Sequence, residues 1–330
     1  MAHDSKAHSG VPAPSPQTPS SNDAPTVLRA RSLTKKFGDF TAVNGIDFDV
    51  AAGESFGLLG PNGAGKSTTM NMIGGVSTRT SGELSILGMD PSEEGPRLRA
   101  HLGVVPQQDN LDEELTVRDN LYIYGRYFGM KRREIVPRIK DLLAFAQLEE
   151  KAANRVDQLS GGMKRRLTIA RSLINDPAVL LLDEPTTGLD PQARHILWDR
   201  LYRLKERGTT LIITTHFMDE AEQLADRLIV VDGGEIKAEG SPSALVREYA
   251  TREVAEMRFG SDKNAAAAEV LNKDGFRTET LADRVLVYAD DGEAAVARAV
   301  SLGLRPVSTL ARRASLEDVF LILTGRSLID

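Results

Sequence analysis

At 330 residues the chain is long enough for two domains with substantial cores, and its 41% hydrophobic and 27% charged residues are ordinary for a globular protein. A net charge of −6 argues against nucleic acid as the main partner, because phosphate binding favours a basic surface. The absence of cysteine excludes disulfides, thiolate catalysis and zinc–thiolate sites.

Residues 1–26 are rich in Ser, Pro and Ala and poor in large apolar side chains. Such a segment cannot bury enough surface to offset its ordering entropy, so a disordered tail is expected. It carries no apolar core of a signal peptide. Residues 27–240 alternate short apolar runs with helical stretches. Phe56 to Leu59 ends at a glycine-rich turn, the stretch after Lys66 reads as a helix, and Val179 to Leu182 and Leu211 to Thr214 are two further apolar runs. Buried strands separated by helices predict an α/β layer with a mainly parallel sheet. Between them, about 109–175 reads as a helix-rich subdomain; in Lys131 to Leu148 the apolar residues Ile135, Ile139, Leu142, Leu143 and Phe145 recur at helical spacing. No apolar run approaches the roughly 18–20 residues of a membrane-spanning helix. A membrane role would need another chain to supply the pore.

The first domain is placed at 27–250 and a smaller one at 251–330. In the latter the pattern reads strand 254–259, helix 262–273, strand 276–280, strand 284–289, helix 292–302 and strand 305–310. This β-α-β-β-α-β order predicts a ferredoxin-like α+β unit. A last helix starts at Ser315 with Asp318 in capping-box position, and its stripe of Leu316, Val319, Phe320 and Leu323 should dock onto a neighbour.

Gly60, Pro61, Asn62, Gly63, Ala64, Gly65, Lys66 and Ser67 match G-x-x-x-x-G-K-[ST]. The glycines let backbone N–H groups point at phosphates, and the following helix presents its N-terminus to the same anions. Lys66 then reaches the β- and γ-phosphates, the Ser67 hydroxyl suits Mg²⁺, and Thr68 can donate to phosphate. Asp183 ends an apolar run, where its carboxylate can hold Mg²⁺. Glu184 follows it, points elsewhere because strand side chains alternate, and is the candidate for polarising an attacking water. Ser160-Gly161-Gly162 precedes a helix read as Met163 to Ile174. Ser160 suits an N-cap and the glycines allow close approach, which makes a second anion-binding helix terminus in the same chain. His216 follows the run ending at Thr214, where it can hydrogen-bond a γ-phosphate; His3, His8, His101 and His195 have no such context.

Together, the phosphate loop, Leu159-Ser160-Gly161-Gly162-Met163, Leu181-Leu182-Asp183-Glu184-Pro185 and His216 resemble the ATP-binding subunits of ABC transporters. The resemblance implies a P-loop ATPase cassette that binds ATP and Mg²⁺. It implies a head-to-tail homodimer in which the Ser160 segment of one copy closes over ATP held by the other. Gln107, with Gln108 as the adjacent alternative, matches the glutamine loop joining γ-phosphate and Mg²⁺ to a transmembrane partner. Phe37 in Lys-Lys-Phe-Gly matches the aromatic that stacks on adenine, and Gly188-Leu189-Asp190 matches the loop that contacts the other subunit's site. Met163 stands where the general signature has Gln. Asp109-Asn110-Leu111-Asp112, Tyr127-Phe128-Gly129-Met130, Asp190-Pro191-Gln192-Ala193-Arg194-His195 and Thr215-His216-Phe217-Met218 are similar to the nodulation-factor (lipo-oligosaccharide) exporter ATPases. Leu316-Glu317-Asp318-Val319-Phe320 and Leu323-Thr324-Gly325-Arg326 resemble both these and daunorubicin-type drug exporter ATPases. These belong to the ABC-2 class.

The resemblance therefore implies a peripheral ATPase on the cytoplasmic face of the inner membrane. It would power export of a lipo-oligosaccharide, lipid-linked or drug-like substrate through a separate ABC-2 permease. A non-transport ABC ATPase acting on DNA or ribosomes is the alternative. Such proteins usually carry two cassettes or long coiled coils; this chain carries one set of motifs and is acidic. A plain P-loop kinase or GTPase would have no use for the Ser160 segment, and the C-terminal features favour an exporter over an importer.

Overall fold

The computed structural model describes residues 24–260 and 262–325. The predicted N-terminal tail lies outside these residues up to 23, as does Arg326. The chain starts with a hairpin, β1 (Thr26–Phe37) and β2 (Phe40–Ala51), turned at Gly38. β3 (Ser55–Leu59) is buried along its whole length and leads through the glycine turn into α1 (Lys66–Ile73). β4 (Ser81–Ile86) returns to pair with β1, making a three-stranded antiparallel sheet in the order β2-β1-β4.

After α2 (Gly95–Arg99) and β5 (Leu102–Val105) come three longer helices, α3 (Val117–Tyr127), α4 (Arg132–Ala146) and α5 (Gly161–Ser172). The chain then alternates β6 (Val179–Asp183), α6 (Pro191–Glu206), β7 (Thr210–Thr215), α7 (Met218–Leu224) and β8 (Arg227–Asp232). β9 (Glu235–Gly240) and α8 (Pro242–Tyr249) follow. The six-stranded sheet has the order β5-β6-β7-β3-β8-β9, parallel except for β9 at its edge. Strand alternation splits its side chains between two cores. Leu180, Leu182, Leu211 and Ile213 meet the helical segment through Leu121, Ile135 and Leu167. Val179, Leu181, Ile212 and Phe56 meet α1 and the hairpin through Met70, Ile73, Val43 and Phe48. Both faces are covered, which is why these strands read as unbroken apolar runs rather than alternations.

The C-terminal part comprises β10 (Glu253–Arg258), α9 (Asn264–Lys273), β11 (Arg277–Thr280), β12 (Val285–Ala289), α10 (Gly292–Ser301) and β13 (Ser308–Arg313). Its sheet is antiparallel in the order β11-β12-β10-β13, the ferredoxin-like arrangement. α9 and α10 cover one face through Ala267, Leu271, Ala295 and Ala299. α11 (Leu316–Thr324) lies on the other face, where Leu321 meets Val254, Leu286 and Tyr288. Its opposite side carries Leu316, Val319 and Phe320 onto Leu59, Leu228, Val230 and Leu245, so the predicted stripe docks on the six-stranded sheet and α8.

Several boundaries differ from expectation by one to three residues: Thr26, at the end of the expected tail, already opens β1, and α9 starts at Asn264 rather than 262. Two shifts have a clear local cause. The last strand begins at Ser308 rather than 305, because Leu304 N–H still closes the end of α10 onto Ala299 O and Pro306 has no N–H to pair. α5 begins at Gly161 rather than Met163, because the Ser160 hydroxyl accepts from Met163 N–H and makes both glycines part of the first turn.

Candidate functional site

The sheet delivers the predicted residues to its C-terminal edge, where ligands bind in open α/β sheets. β3 runs out into Gly60, whose missing side chain is essential: a Cβ there would lie 2.1 Å from Val231 O. Gly65, immediately before α1, has φ +101°, and a Cβ would lie 2.4 Å from Ala42 O. The turn between them bends Lys66 back so that Nζ donates to Gly60 O at 2.7 Å and Pro61 O at 2.9 Å. Lys66 is buried, and desolvation lowers its pKa, with Glu184 and Asp183 pulling it the other way.

β6, between β5 and β7, carries the acids. Asp183 Oδ1 accepts from Ser67 Oγ at 3.2 Å and from Thr214 Oγ1 at the end of β7. Glu184 has φ +46°, a left-handed conformation that is uncommon and strained for a residue with a side chain. Its N–H is held by Thr214 O at 3.1 Å. The turn buries its carboxylate to 6% exposure. Oε2 accepts from Gln107 Nε2 and from Thr187 Oγ1, each at 3.2 Å. Oε1 lies 3.2 Å from His216 Nδ1 and 3.7 Å from Lys66 Nζ. The His216 contact is close but not aligned as a hydrogen bond. Glu184 is thus the hub on which Lys66, Gln107 and His216 converge, and it is Gln107, not Gln108, that reaches it.

A cleft of about 400 Å³ opens above this hub, lined by Asn62, Gly63, Gly65, Lys66, Ser67, Thr68, Gln107 and Glu184 together with Phe40 and Ala42. Phe37 does not line it. It sits across the hairpin turn from Phe40, 53% exposed, with Lys35 Nζ 4.9 Å from its ring centroid. Ser160, Gly161, Gly162 and Asp190 are also away from the cleft. Ser160 and Gly161 are exposed at the start of α5. Asp190 caps α6 by accepting from Ala193 N–H at 2.9 Å. A Cβ on Gly162 would sit 3.7 Å from Leu189 Cδ2, so the two segments share one patch of surface.

Sequence reasoning missed Phe40, Thr187, Thr214 and Arg165. Thr214 had a visible cue, its place just before Thr215-His216. Arg165 looked like one of several basic residues on a helix. It is 4% exposed and donates to five backbone carbonyls. No described helix is long and apolar enough to cross a membrane.

Residues 43–187 match the family model described as ABC transporter, and 264–325 match that of the nodulation factor export protein NodI, C-terminal domain. The chain is 51% identical over 307 residues to a Nod factor export ATP-binding protein I of Rhizobium meliloti, covering 93% of this chain and 90% of that one. It is 50% identical over 301 residues to the protein of the same name from Burkholderia lata, covering 91% and 97%. Among solved structures it is similar to the ATP-binding subunit of an ABC transporter, with TM-score 0.63 and 30% identity over 68% of this chain and 93% of that one. It is also similar to a dimeric ATP-binding cassette in a post-hydrolysis state with ADP and phosphate, with TM-score 0.60 and 31% identity over 65% and 98%. The phosphate loop, the acid pair at the end of β6 and the similarity along nearly the whole chain agree: the chain belongs to the ABC transporter family and is an ATPase.

Proposed function

We propose that this chain is the ATP-hydrolysing subunit of an ABC-2 exporter, moving a lipo-oligosaccharide through a separate membrane permease from the cytoplasmic face of the inner membrane. The observation that carries this reading is the similarity to Nod factor export proteins through both the ATPase fold and the C-terminal part. Lys66 exchanges the carbonyls of Gly60 and Pro61 for the β- and γ-phosphates. Ser67 and Asp183 offer hard oxygen ligands 3.2 Å apart, a donor set that fits Mg²⁺, with Gln107 beside it. Bound there, Mg²⁺ would neutralise phosphate charge. Glu184 orients and polarises the attacking water, and His216 senses the γ-phosphate. Phosphoryl transfer asks mainly for such positioning and electrostatics.

Phe37 serves as the adenine platform at the tip of the hairpin. Ser160, Gly161, Gly162 and Asp190 face outward because their nucleotide is held by a second copy, so the working unit is a head-to-tail homodimer with two composite sites. Deleting the gene and quantifying cell-associated and secreted lipo-oligosaccharide by mass spectrometry tests the export reading. Retention inside the cells is expected, and restored secretion only by an ATPase-competent gene. Unchanged secretion would remove the substrate assignment.

A further inference from the structure

Arg165 lies on α5 about one and a half turns beyond Ser160. Its guanidinium is buried between two chain segments that do not touch through any strand pairing of their own at this point. Towards the segment after β5 it donates from Nη1 to Pro106 O at 2.6 Å and Gln107 O at 3.4 Å, and lies 3.3 Å from Asp109 Oδ1. Towards the segment at the end of β6 it donates from Nη2 to Asp183 O and Glu184 O, each at 3.1 Å, and from Nε to Pro185 O at 2.8 Å. The same face of α5 tightens the grip on the first segment. Thr168 Oγ1 donates to Asp109 O at 3.2 Å, and Arg171 donates to Asp109 O at 3.2 Å and Asn110 O at 2.8 Å.

These bonds bear directly on the hydrolytic residues. Glu184 is in the left-handed region, so its peptide must be held from both sides to keep the carboxylate turned into the cleft. Thr214 holds its N–H and Arg165 holds its carbonyl. Gln107 reaches Glu184 from a backbone that Arg165 also holds. The planar fork of five donors is what allows one side chain to serve both segments; a lysine ammonium is a single point and cannot.

We propose that Arg165 is a positioning residue that couples the exposed Ser160 turn to Gln107 and Glu184 of its own subunit. Resting on the composite-site reading above, it makes α5 a rigid lever between the two sites of the dimer. A phosphate engaged by Ser160 and Gly161 at one site pulls on the start of α5, and Arg165 moves the two loops of the other site with it. Close-packed helices transmit such shifts because they have few intermediate arrangements.

The test uses the full chain carrying Arg165→Gln or Arg165→Lys, with trinitrophenyl-ATP binding, melting temperature, Mg·ATP turnover and the Hill coefficient for ATP measured on each. Arg165 touches no phosphate-loop residue, so Kd should stay within about threefold of the parent while kcat falls at least about tenfold. The Hill coefficient should drop from well above 1 to about 1 as the coupling between sites is lost. Arg165→Lys keeps the buried charge and serves where Arg165→Gln fails to fold; it should not rescue kcat. Turnover within about twofold of the parent, or parallel loss of Kd, kcat and melting temperature, overturns the proposal. A parent protein with a Hill coefficient of 1 and no ATP-dependent dimer overturns the composite-site reading and the lever with it. A kcat loss at unchanged Kd in that same protein would still place Arg165 behind Glu184.

Discussion

Gln107 Nε2 donates to Glu184 Oε2 at 3.2 Å, joining the loop after β5 to the end of β6 across the mouth of the cleft. The bond occupies one oxygen of the carboxylate, and His216 stands at the other. Water or a γ-phosphate entering the cleft must compete with these partners. Gln107 and His216 thus share one carboxylate at the floor of the cleft.

Replacing Glu184 with Gln keeps the shape of this hub and removes its charge. Loss of a positioned base typically costs 10²–10⁴-fold, so Glu184→Gln should lower phosphate release by at least about 100-fold. ATP binding should persist, because Lys66 and the backbone of the phosphate loop are untouched. Unable to turn over, the variant should accumulate as an ATP-bound dimer on size-exclusion chromatography. Rapid hydrolysis by this variant would remove Glu184 from its role.

The aromatic tip of the hairpin offers two rings. Phe37 is matched by family resemblance and has one cation near its face, while Phe40 lines the cleft wall. Phe37→Ala should raise KM for ATP roughly threefold to tenfold, as expected from the ~0.5–1.5 kcal/mol of an aromatic pair, with little change in kcat. Phe37→Tyr should keep the parental KM. If only Phe40→Ala raises KM, Phe40 is the platform and Phe37 is not.

Much of this site was legible because its chemistry is local in sequence. The phosphate loop lies in one run, and the acids sit at the end of an apolar strand whose length gives their place at the sheet edge. The ferredoxin-like order was legible for the same reason, from short alternating elements. What could not be read were contacts between distant segments. Arg165 reaches residues 106–109 and 183–185, and nothing on its own helix distinguishes it from the half-buried Lys164 and Arg166 beside it until the packing is known. Phe40 and Phe37 are three positions apart across a tight turn, and only the twist of the hairpin decides which ring meets the cleft.

α11 is the covering element of the ATPase sheet, and its removal exposes that sheet's core. Phe320 is fully buried against residues of β3, β8 and α8. The helix start is fixed twice, by Arg312 on the buried Asp318 at 2.7 and 2.8 Å and by Leu316 N–H on Glu222 Oε1 at 2.8 Å. Glu222 belongs to α7, which begins just after His216. Phe320→Ala should destabilise the protein by about 3–5 kcal/mol, measured by urea unfolding. A deletion of 251–330 should therefore unfold or aggregate. A deletion mutant with parental stability would show that α11 is dispensable as a cover.

Glu220, on the first turn of α7, is a fully buried acid facing Thr215, Thr186 and Trp198. Desolvation raises its pKa to about 7, and its neighbours Thr215, Thr186, Trp198 and Arg194 soften the shift without cancelling it. The folded protein thus holds this proton more tightly than the unfolded chain, whose value is about 4.3. Its contribution to stability is complete below the unfolded pKa and is lost as pH rises through about 7. At one pKa unit per 1.36 kcal/mol, the loss by pH 8 is on the order of 3 kcal/mol. Glu220→Gln keeps the size and hydrogen-bonding shape without the ionisation. Its unfolding free energy should match the parent near pH 4, exceed it increasingly up to about pH 7 and level off above that. Parallel pH profiles for parent and variant would mean that Glu220 ionises freely in the folded state. It would then have to find, on folding, a cation or water that compensates its burial between α6 and α7.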